Sequence, residues 1–228
     1  MNLCIDQGNS SIKIGIFDQN KLVKTFVYKK FDRKSILSTL HNFSINHCIY
    51  SSVIKKNASA IAFLKKNIPH VLVLTHETPL PIENKYHTPE TLGKDRLAAV
   101  VGAAFLMPNF DVLVVDAGTA ITFDFIDAKK NYLGGNIDAG LELRLKALHT
   151  FTKKLPLVKP VKEVPLLASD TEMALAAGVL NGIIFEIDSY IDTLKIEYPR
   201  LSTFLTGGSS IFFEKKLKNS IFAVENLV

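Results

Sequence analysis

A short phrase occurs twice in this chain: an apolar strand that ends on a carboxylate, turns on glycine and starts again. Leu3-Cys4-Ile5-Asp6-Gln7-Gly8-Asn9-Ser10-Ser11 is the first copy, and the stretch from Asp111 to Asp127, DVLVVDAGTAITFDFID, is the second. Val112 to Val115 form a continuous apolar run, the mark of a strand covered on both faces. Asp116 closes it. A carboxylate at the end of a buried strand is costly unless something positive or hydrogen-bonding meets it, so a partner or a ligand is expected there. Gly118 permits a turn with positive φ and leaves amides open to an anion, with the hydroxyls of Thr119 and Thr122 beside it. Aligning Asp6 with Asp116 puts Gly8 on Gly118, and both turns lead into β-branched strands that end near Asp18 and Asp127. The repeat predicts a duplicated fold.

Size permits this. A chain of 228 residues with 47% hydrophobic content buries roughly 70 to 75% of its unfolded surface, enough for one large domain or two of about 110 residues. The repeat favours two, divided as 1–109 and 110–228. Cys4 and Cys48 lie in apolar, strand-like segments without the spacing of a disulfide framework, which points to a reducing cytoplasm. No basic region leads an apolar one at the N-terminus, so no signal peptide is expected. The longest apolar runs, Leu97 to Met107 and Met173 to Phe185, fall short of the ~20 residues of a membrane span. The net charge of +5 comes from scattered lysine pairs rather than a basic stripe with interleaved aromatics, which argues against a nucleic-acid partner.

From Asn2 to about Tyr28 the pattern is a three-stranded meander with a turn at Gln19 and Asn20. A helix is expected over about Asp32 to Phe43, a strand over His47 to Ser52, a helix over Ala58 to Asn67 and a strand over Val71 to Leu74. Thr75 to Thr91 reads as a loop, since Pro79, Pro81 and Pro89 deny it regular structure. A helix then runs from near Gly93 to Met107, where Pro108 ends it. The second half repeats the order, with strands at Val112 to Asp116, Ala120 to Ile126 and Tyr132 to Ile137 and a helix from about Leu141 to Thr150. Ser169-Asp170-Thr171-Glu172 has capping-box spacing ahead of a long apolar helix to about Lys195. Its first turns are apolar all round, which suits burial under a domain or against a second subunit. Thr203 to Leu205 reads as a strand, Thr206-Gly207-Gly208 as a tight turn, and Ser209 as the cap of a final helix to Lys218. Each half opens with a meander, so an α/β, duplicated ribonuclease-H-like fold follows.

Two hairpin turns, each with a carboxylate and glycine amides, supply what a nucleotide-phosphate site between two domains requires: amides and hydroxyls for phosphates, carboxylates for a metal ion or its waters. One Asp-x-Gly turn alone is common. Two matched turns, with the Gly207-Gly208 pair where a nucleoside can approach the backbone, make the reading specific. No Walker A or GxGxxG pattern is present. The six histidines show no HExxH or Cys/His ligand spacing, which argues against a transition-metal site.

The chain resembles the type III pantothenate kinases of the acetate and sugar kinase, heat-shock chaperone and actin superfamily. Asp6-Gln7-Gly8-Asn9-Ser10 is similar to that family's Asp-x-Gly-Asn-Thr motif. Tyr86, Pro89 and Leu92-Gly93-Lys94-Asp95-Arg96 resemble its Tyr-x-Asn-Pro-x-x-Leu-Gly-x-Asp-Arg signature, with Thr88 in place of asparagine. Asp116-Ala117-Gly118-Thr119-Ala120 matches its second phosphate motif, and Gly134-Gly135-Asn136-Ile137-Asp138-Ala139-Gly140 is similar to its Gly-Gly-x-Ile-x-Pro-Gly segment, with Ala139 for proline.

The resemblance implies ATP-dependent phosphorylation of pantothenate in an actin-like fold with a nucleotide cleft. It makes Asp95 the general base, whereas the residues alone favour a carboxylate that complements a helix dipole. It makes Tyr86, Gly93, Lys94, Asp95, Arg96 and Thr171 the pantothenate contacts; for Arg96 the alternative is an exposed ion pair, and for Thr171 a place in the helix cap. Asp6, Gln7, Gly8, Asn9, Ser10, Ser11, Ile12 and Lys13 become the first ATP loop, joined by Thr119, Gly207 and Gly208. Asp116 becomes the ligand of a monovalent cation, K⁺ or NH₄⁺, with Mg²⁺ on the phosphates. A cytoplasmic homodimer is implied, its site completed across the interface, with no nucleic acid and no membrane. Another small-molecule kinase of the superfamily, or a non-catalytic regulatory relative, is the alternative.

Overall fold

The computed structural model describes residues 1–8, 11–53, 57–224 and 227. By packing, the chain divides into two compact units: Met1–Pro79 with Thr88–Ala98, and Leu80–His87 with Ala99–Leu227. This division departs from one at 109/110. The helix expected after Gly93 gives its first turn to one unit and the remainder to the other, and the segment before it carries a strand that pairs within the second unit.

In the first unit, β1 (Asn2–Gln7), β2 (Ile12–Asp18) and β3 (Lys21–Tyr28) form the meander, followed by α1 (Arg33–Asn42), β4 (His47–Ser52), α2 (Ala58–Asn67) and β5 (His70–Val73). The sheet order is β3-β2-β1-β4-β5, antiparallel through β3, β2 and β1 and parallel through β1, β4 and β5. Apolar side chains at alternate positions of β1 and β2, among them Leu3, Ile5, Ile14 and Ile16, pack with Ile36 of α1 and Leu64 of α2. Burying each contributes about 1.5–3 kcal/mol. Local chemistry sets the helix starts: the Asp32 carboxylate accepts from the Ser35 amide at 3.0 Å, and Asn57 Oδ1 accepts from the Ala60 amide at 3.0 Å. Both cysteines are free, and burial pushes the Cys4 thiol up to about 11 and Cys48 up to about 12. They are neutral thiols at pH 7.

Next come β6 (Glu83–Asn84) and α3 (Lys94–Leu106), then β7 (Val112–Ala117), β8 (Ala120–Ile126), β9 (Asn131–Ala139), α4 (Leu141–Phe151), α5 (Thr171–Glu197), β10 (Ser202–Thr206) and β11 (Phe222–Ala223). Among the described residues the second sheet runs β11-β10-β7-β8-β9-β6. Its β9-β8-β7-β10-β11 portion has the same sequence of antiparallel and parallel pairings as the first sheet, and β6 is added at the edge. The duplicated ribonuclease-H-like fold is therefore present in both halves, and Val112 to Val115 are buried as their apolar run requires.

The copies differ where β10 passes to β11. The expected helix from Ser209 to Lys218 is a single 3₁₀ turn, Ser210–Phe212, followed by turns. Short-range backbone bonds run as far as Leu217, whose amide donates to Phe213 O at 3.2 Å, and Asp188 of α5 then accepts from the Lys218 and Asn219 amides at 3.1 Å each.

α5 supplies Leu180, Ile183, Ile187 and Ile191 to the second core, at the 3-4-4 spacing that keeps one helix face turned inward. It is long and apolar enough to cross a membrane by length and composition, yet more than half of its apolar window is buried in this core. The cap is not the expected Ser169. Asp170 occupies it, its Oδ1 accepting from the Met173 amide at 2.9 Å, so Thr171 is the first helical residue and is exposed.

Candidate active site

The first hairpin is one residue longer than the second. Gln7 pairs with Ile12 across β1 and β2, leaving four residues in the turn, whereas Ala117 pairs with Ile121, leaving three. In the first turn the Gly8 amide donates to Ser11 O at 3.0 Å; in the second the Gly118 amide donates to Ala120 O at 3.0 Å. Asn9 and Ser10 lie outside the described residues. Gln7 is buried and its Oε1 accepts from the Tyr50 hydroxyl, and Ile12 points into the core, so their side chains serve packing.

Asp6 is the electrostatic centre of the first unit. Register places Lys13 directly across the strand pair from it. Burial raises the Asp6 pKa above the ordinary carboxylate range; Lys13 pulls it down, the charge of Asp95 raises it further, and nearby Ser51 lowers it. Ser51 is close enough to act on the carboxylate, yet among the described residues neither Ser51 Oγ nor the buried Asp6 Oδ1 has a hydrogen bond of normal geometry. Sequence reading missed Ser51, which belongs to β4 and carries no local motif. Two carboxylates and a lysine thus come together in one unit from sequence positions nearly ninety residues apart.

Asp95 stands in the first turn of α3. Its Oδ1 accepts from the Arg96 amide at 2.8 Å, and a Cβ on Gly93 would stand 2.4 Å from that oxygen, so the glycine gives the carboxylate room to fold over the helix start. The dipole-complementing contact is real, and the same contact holds the carboxylate in one orientation. Arg96 is only 5% exposed, which removes the alternative of an exposed ion pair. Lys94 is half-buried.

In the second unit Asp116 is the penultimate residue of β7, aligned with Thr122 of β8 and Thr206 of β10. Gly207 follows Thr206 with φ +94°, and a Cβ there would stand 2.4 Å from Asp116 Oδ1 and 2.5 Å from Ala117 O. The late glycine pair is thereby brought against the second acidic turn. Gly208 is exposed with open space where its Cβ would be, and Thr119 is exposed on the turn. Gly207→Ala is expected to destabilise the protein by more than about 1 kcal/mol, because backbone conformation and contact both oppose it. Gly208→Ala should be close to neutral; denaturant unfolding of the two variants checks the contrast.

Tyr86 lies in the second unit, half-buried, with its ring stacked on Tyr132. Thr171 lines a groove formed by α4 and α5 with Ala139, Arg144, Leu148 and Gly178; Phe151, 87% exposed, stands on its rim. Arg144 is held there by Glu186 at 2.6 Å and Asp138 at 3.0 Å. Burial raises the pKa of Glu186, while the Ala139 amide lowers that of Asp138. Among the described residues no group of three or more His, Cys, Asp or Glu could hold a metal ion.

A sequence model of the type III pantothenate kinase family matches residues 2–193. The chain is 46% identical over 228 residues to a type III pantothenate kinase of Phocaeicola vulgatus, covering all of this chain and 94% of the relative. Among solved structures, it is similar to a conserved Baf-family protein of Campylobacter jejuni named for transcriptional activation. That match has a TM-score of 0.64 and 25% identity and covers 99% of this chain and 92% of the other. The fold is also that of component A of (R)-2-hydroxyglutaryl-CoA dehydratase from Acidaminococcus fermentans, at a TM-score of 0.52 and 13% identity, covering 98% and 91%.

Proposed function

The chain belongs to the type III pantothenate kinase family, and from that premise we propose how its own residues divide the work of phosphorylating pantothenate. The reaction is ATP-dependent transfer to the primary hydroxyl, giving 4'-phosphopantothenate, the first step of coenzyme A synthesis. The hydroxyl oxygen bonds to the γ-phosphorus, ADP leaves, and Asp95 takes the hydroxyl proton. The transition state is loose, so positioning and charge neutralisation supply most of the acceleration. The base adds about 10² to 10⁴.

The observation that carries this reading is the convergence of Asp95, Asp6 and Lys13 in one unit. A buried carboxylate whose pKa is raised by burial and by a second carboxylate is a place where a cation is welcome. Asp6 fits Mg²⁺ retained chiefly by phosphate oxygens and water, and the ion would neutralise charge on the phosphates. Lys13 meets a phosphate as a point charge, and the Gly8 turn offers backbone to it. In the second turn, Asp116 Oδ1 and Ala117 O are the hard oxygens that K⁺ or NH₄⁺ takes, with Thr119, Gly207 and Gly208 toward the nucleotide. Arg96 is the counter-charge for the pantothenate carboxylate, as its fork geometry suits. Tyr86, Gly93 and Lys94 complete the pantothenate contacts.

A second copy of the chain covers the α4–α5 groove, bringing Thr171 to its partner's substrate; the exposed Phe151 and the small residues beside it form the apolar face. The enzyme acts as a cytoplasmic homodimer. ADP release measured with pantothenate, with and without potassium, tests the activity and the cation together. Pantothenate-dependent, potassium-stimulated release is expected; release with a sugar panel and none with pantothenate would assign the site to another kinase of the superfamily.

A further inference from the structure

The segment between β5 and α3 is irregular apart from β6, and β6 ties it to β9. Glu83 pairs with Asn131 and Asn84 with Tyr132 in parallel register, and the Lys85 amide donates to Tyr132 O at 3.0 Å. One residue later Asn84 Oδ1 accepts from the Tyr86 amide at 3.0 Å, a side-chain turn that fixes where the tyrosine leaves the strand. The Tyr86 ring then lies parallel to that of Tyr132, 6.1 Å between centroids and 15° between planes. Its Cδ2 and Cε2 stand 3.7 and 3.9 Å from where a Cβ of Gly134 would be, and Gly134 has φ +125°. A Cβ on Gly135 would stand 1.8 Å from Phe123 O and 2.8 Å from Asp124 Oδ1, so only glycine lets β9 close on β8 at this point.

Beside the ring pair is a buried carboxyl group. Asp124 is fully enclosed and accepts from the hydroxyl of Tyr132, itself fully buried, at 2.6 Å. A carboxylate in such surroundings demands a donor in one place. Tyr132 therefore cannot turn freely, and the face it offers Tyr86 is held.

We propose that Asp124 and Tyr132 are positioning residues that pre-orient Tyr86 for pantothenate, on a β9 strand shaped by the positive φ of Gly134 and by the close approach to β8 that Gly135 allows. The proposal rests on the reading of Tyr86 as a substrate contact given above. A side chain on an otherwise irregular segment must be immobilised when substrate binds, and a rigid platform removes that cost in advance. Tyr132→Phe keeps the stacked ring and its volume but removes the hydroxyl bond to Asp124. It is expected to raise the KM for pantothenate about 5- to 10-fold, with kcat and the KM for ATP within about twofold of the parent. Asp124→Asn retains an acceptor for the Tyr132 hydroxyl and should restore most of the affinity that Asp124→Ala loses. Tyr86→Ala should itself raise the pantothenate KM, and adding Tyr132→Phe to it should raise it no further.

Lowered thermal stability of Tyr132→Phe with an unchanged pantothenate KM would make the pair merely structural and overturn the proposal. An additive double variant would do the same. Tyr86→Ala with an unchanged pantothenate KM would instead remove the substrate role of Tyr86, and the proposal with it. Should Asp124→Ala fail to fold, the volume-conserving Tyr132→Phe and the double variant decide.

Discussion

Asp95→Asn is expected to lower kcat by at least about 100-fold, the smaller contribution typical of a positioned general base, while the protein still folds. Folding is preserved because the asparagine carbonyl oxygen can accept the bond that Asp95 Oδ1 now takes from the Arg96 amide at 2.8 Å. The helix start and the room left by Gly93 are untouched. A thermal melt superposable on the parent's, together with the loss of turnover, separates proton abstraction from support of α3. Near-parental turnover would remove Asp95 from the chemistry and leave it as a helix-dipole partner.

The second large effect is expected at Asp6, where activity and stability move in opposite directions. Asp6→Asn should cut turnover about 100- to 1,000-fold, the cost of deleting one preorganised charge-stabilising group. It should also raise the melting temperature at neutral pH by a few degrees. The folded-state pKa of Asp6 is raised, chiefly by burial and further by Asp95. Between the ordinary carboxylate value and that raised value the native protein binds more protons than the unfolded chain, so Asp6 subtracts stability as pH rises through this window. Asparagine carries no such dependence. Melts of both proteins from pH 4 to 8 should coincide most nearly at the acid end and separate as pH rises, with the variant the more stable. A variant less stable than the parent at pH 7 would mean that the attraction to Lys13 outweighs burial and the neighbouring charge.

Much of this was legible in the chain itself, and the parts that were not share a reason. Val112 to Val115 announce a strand covered on both faces because nothing but apolar side chains survives there, and the structure buries all four. The Asp-x-Gly turns announce themselves because backbone reversal beside a carboxylate needs few residues to encode. The expected helix from Ser209 to Lys218 reduces to a 3₁₀ turn and further turns, and where the segment ends Asp188, far upstream, takes the Lys218 and Asn219 amides. The cap of α5 slid by one residue for a smaller reason: Asp170 and Ser169 are both competent caps, and the Asp170 carboxylate is the one that reaches the Met173 amide.

The sequence by itself determined the duplication, the order of strands and helices from β1 to β10 apart from β6, the two acidic turns and the signature around Asp95, since each is written in neighbouring residues whose spacing and polarity act locally. Only the tertiary structure decided that Asp6 feels Lys13 and Asp95 at once, that Gly207 closes on Asp116, and that Tyr86 rests on Tyr132 beside a buried Asp124. Those are encounters between segments far apart along the chain, set by sheet register and by the close approach that glycine allows, and no local pattern encodes which distant residue will be met.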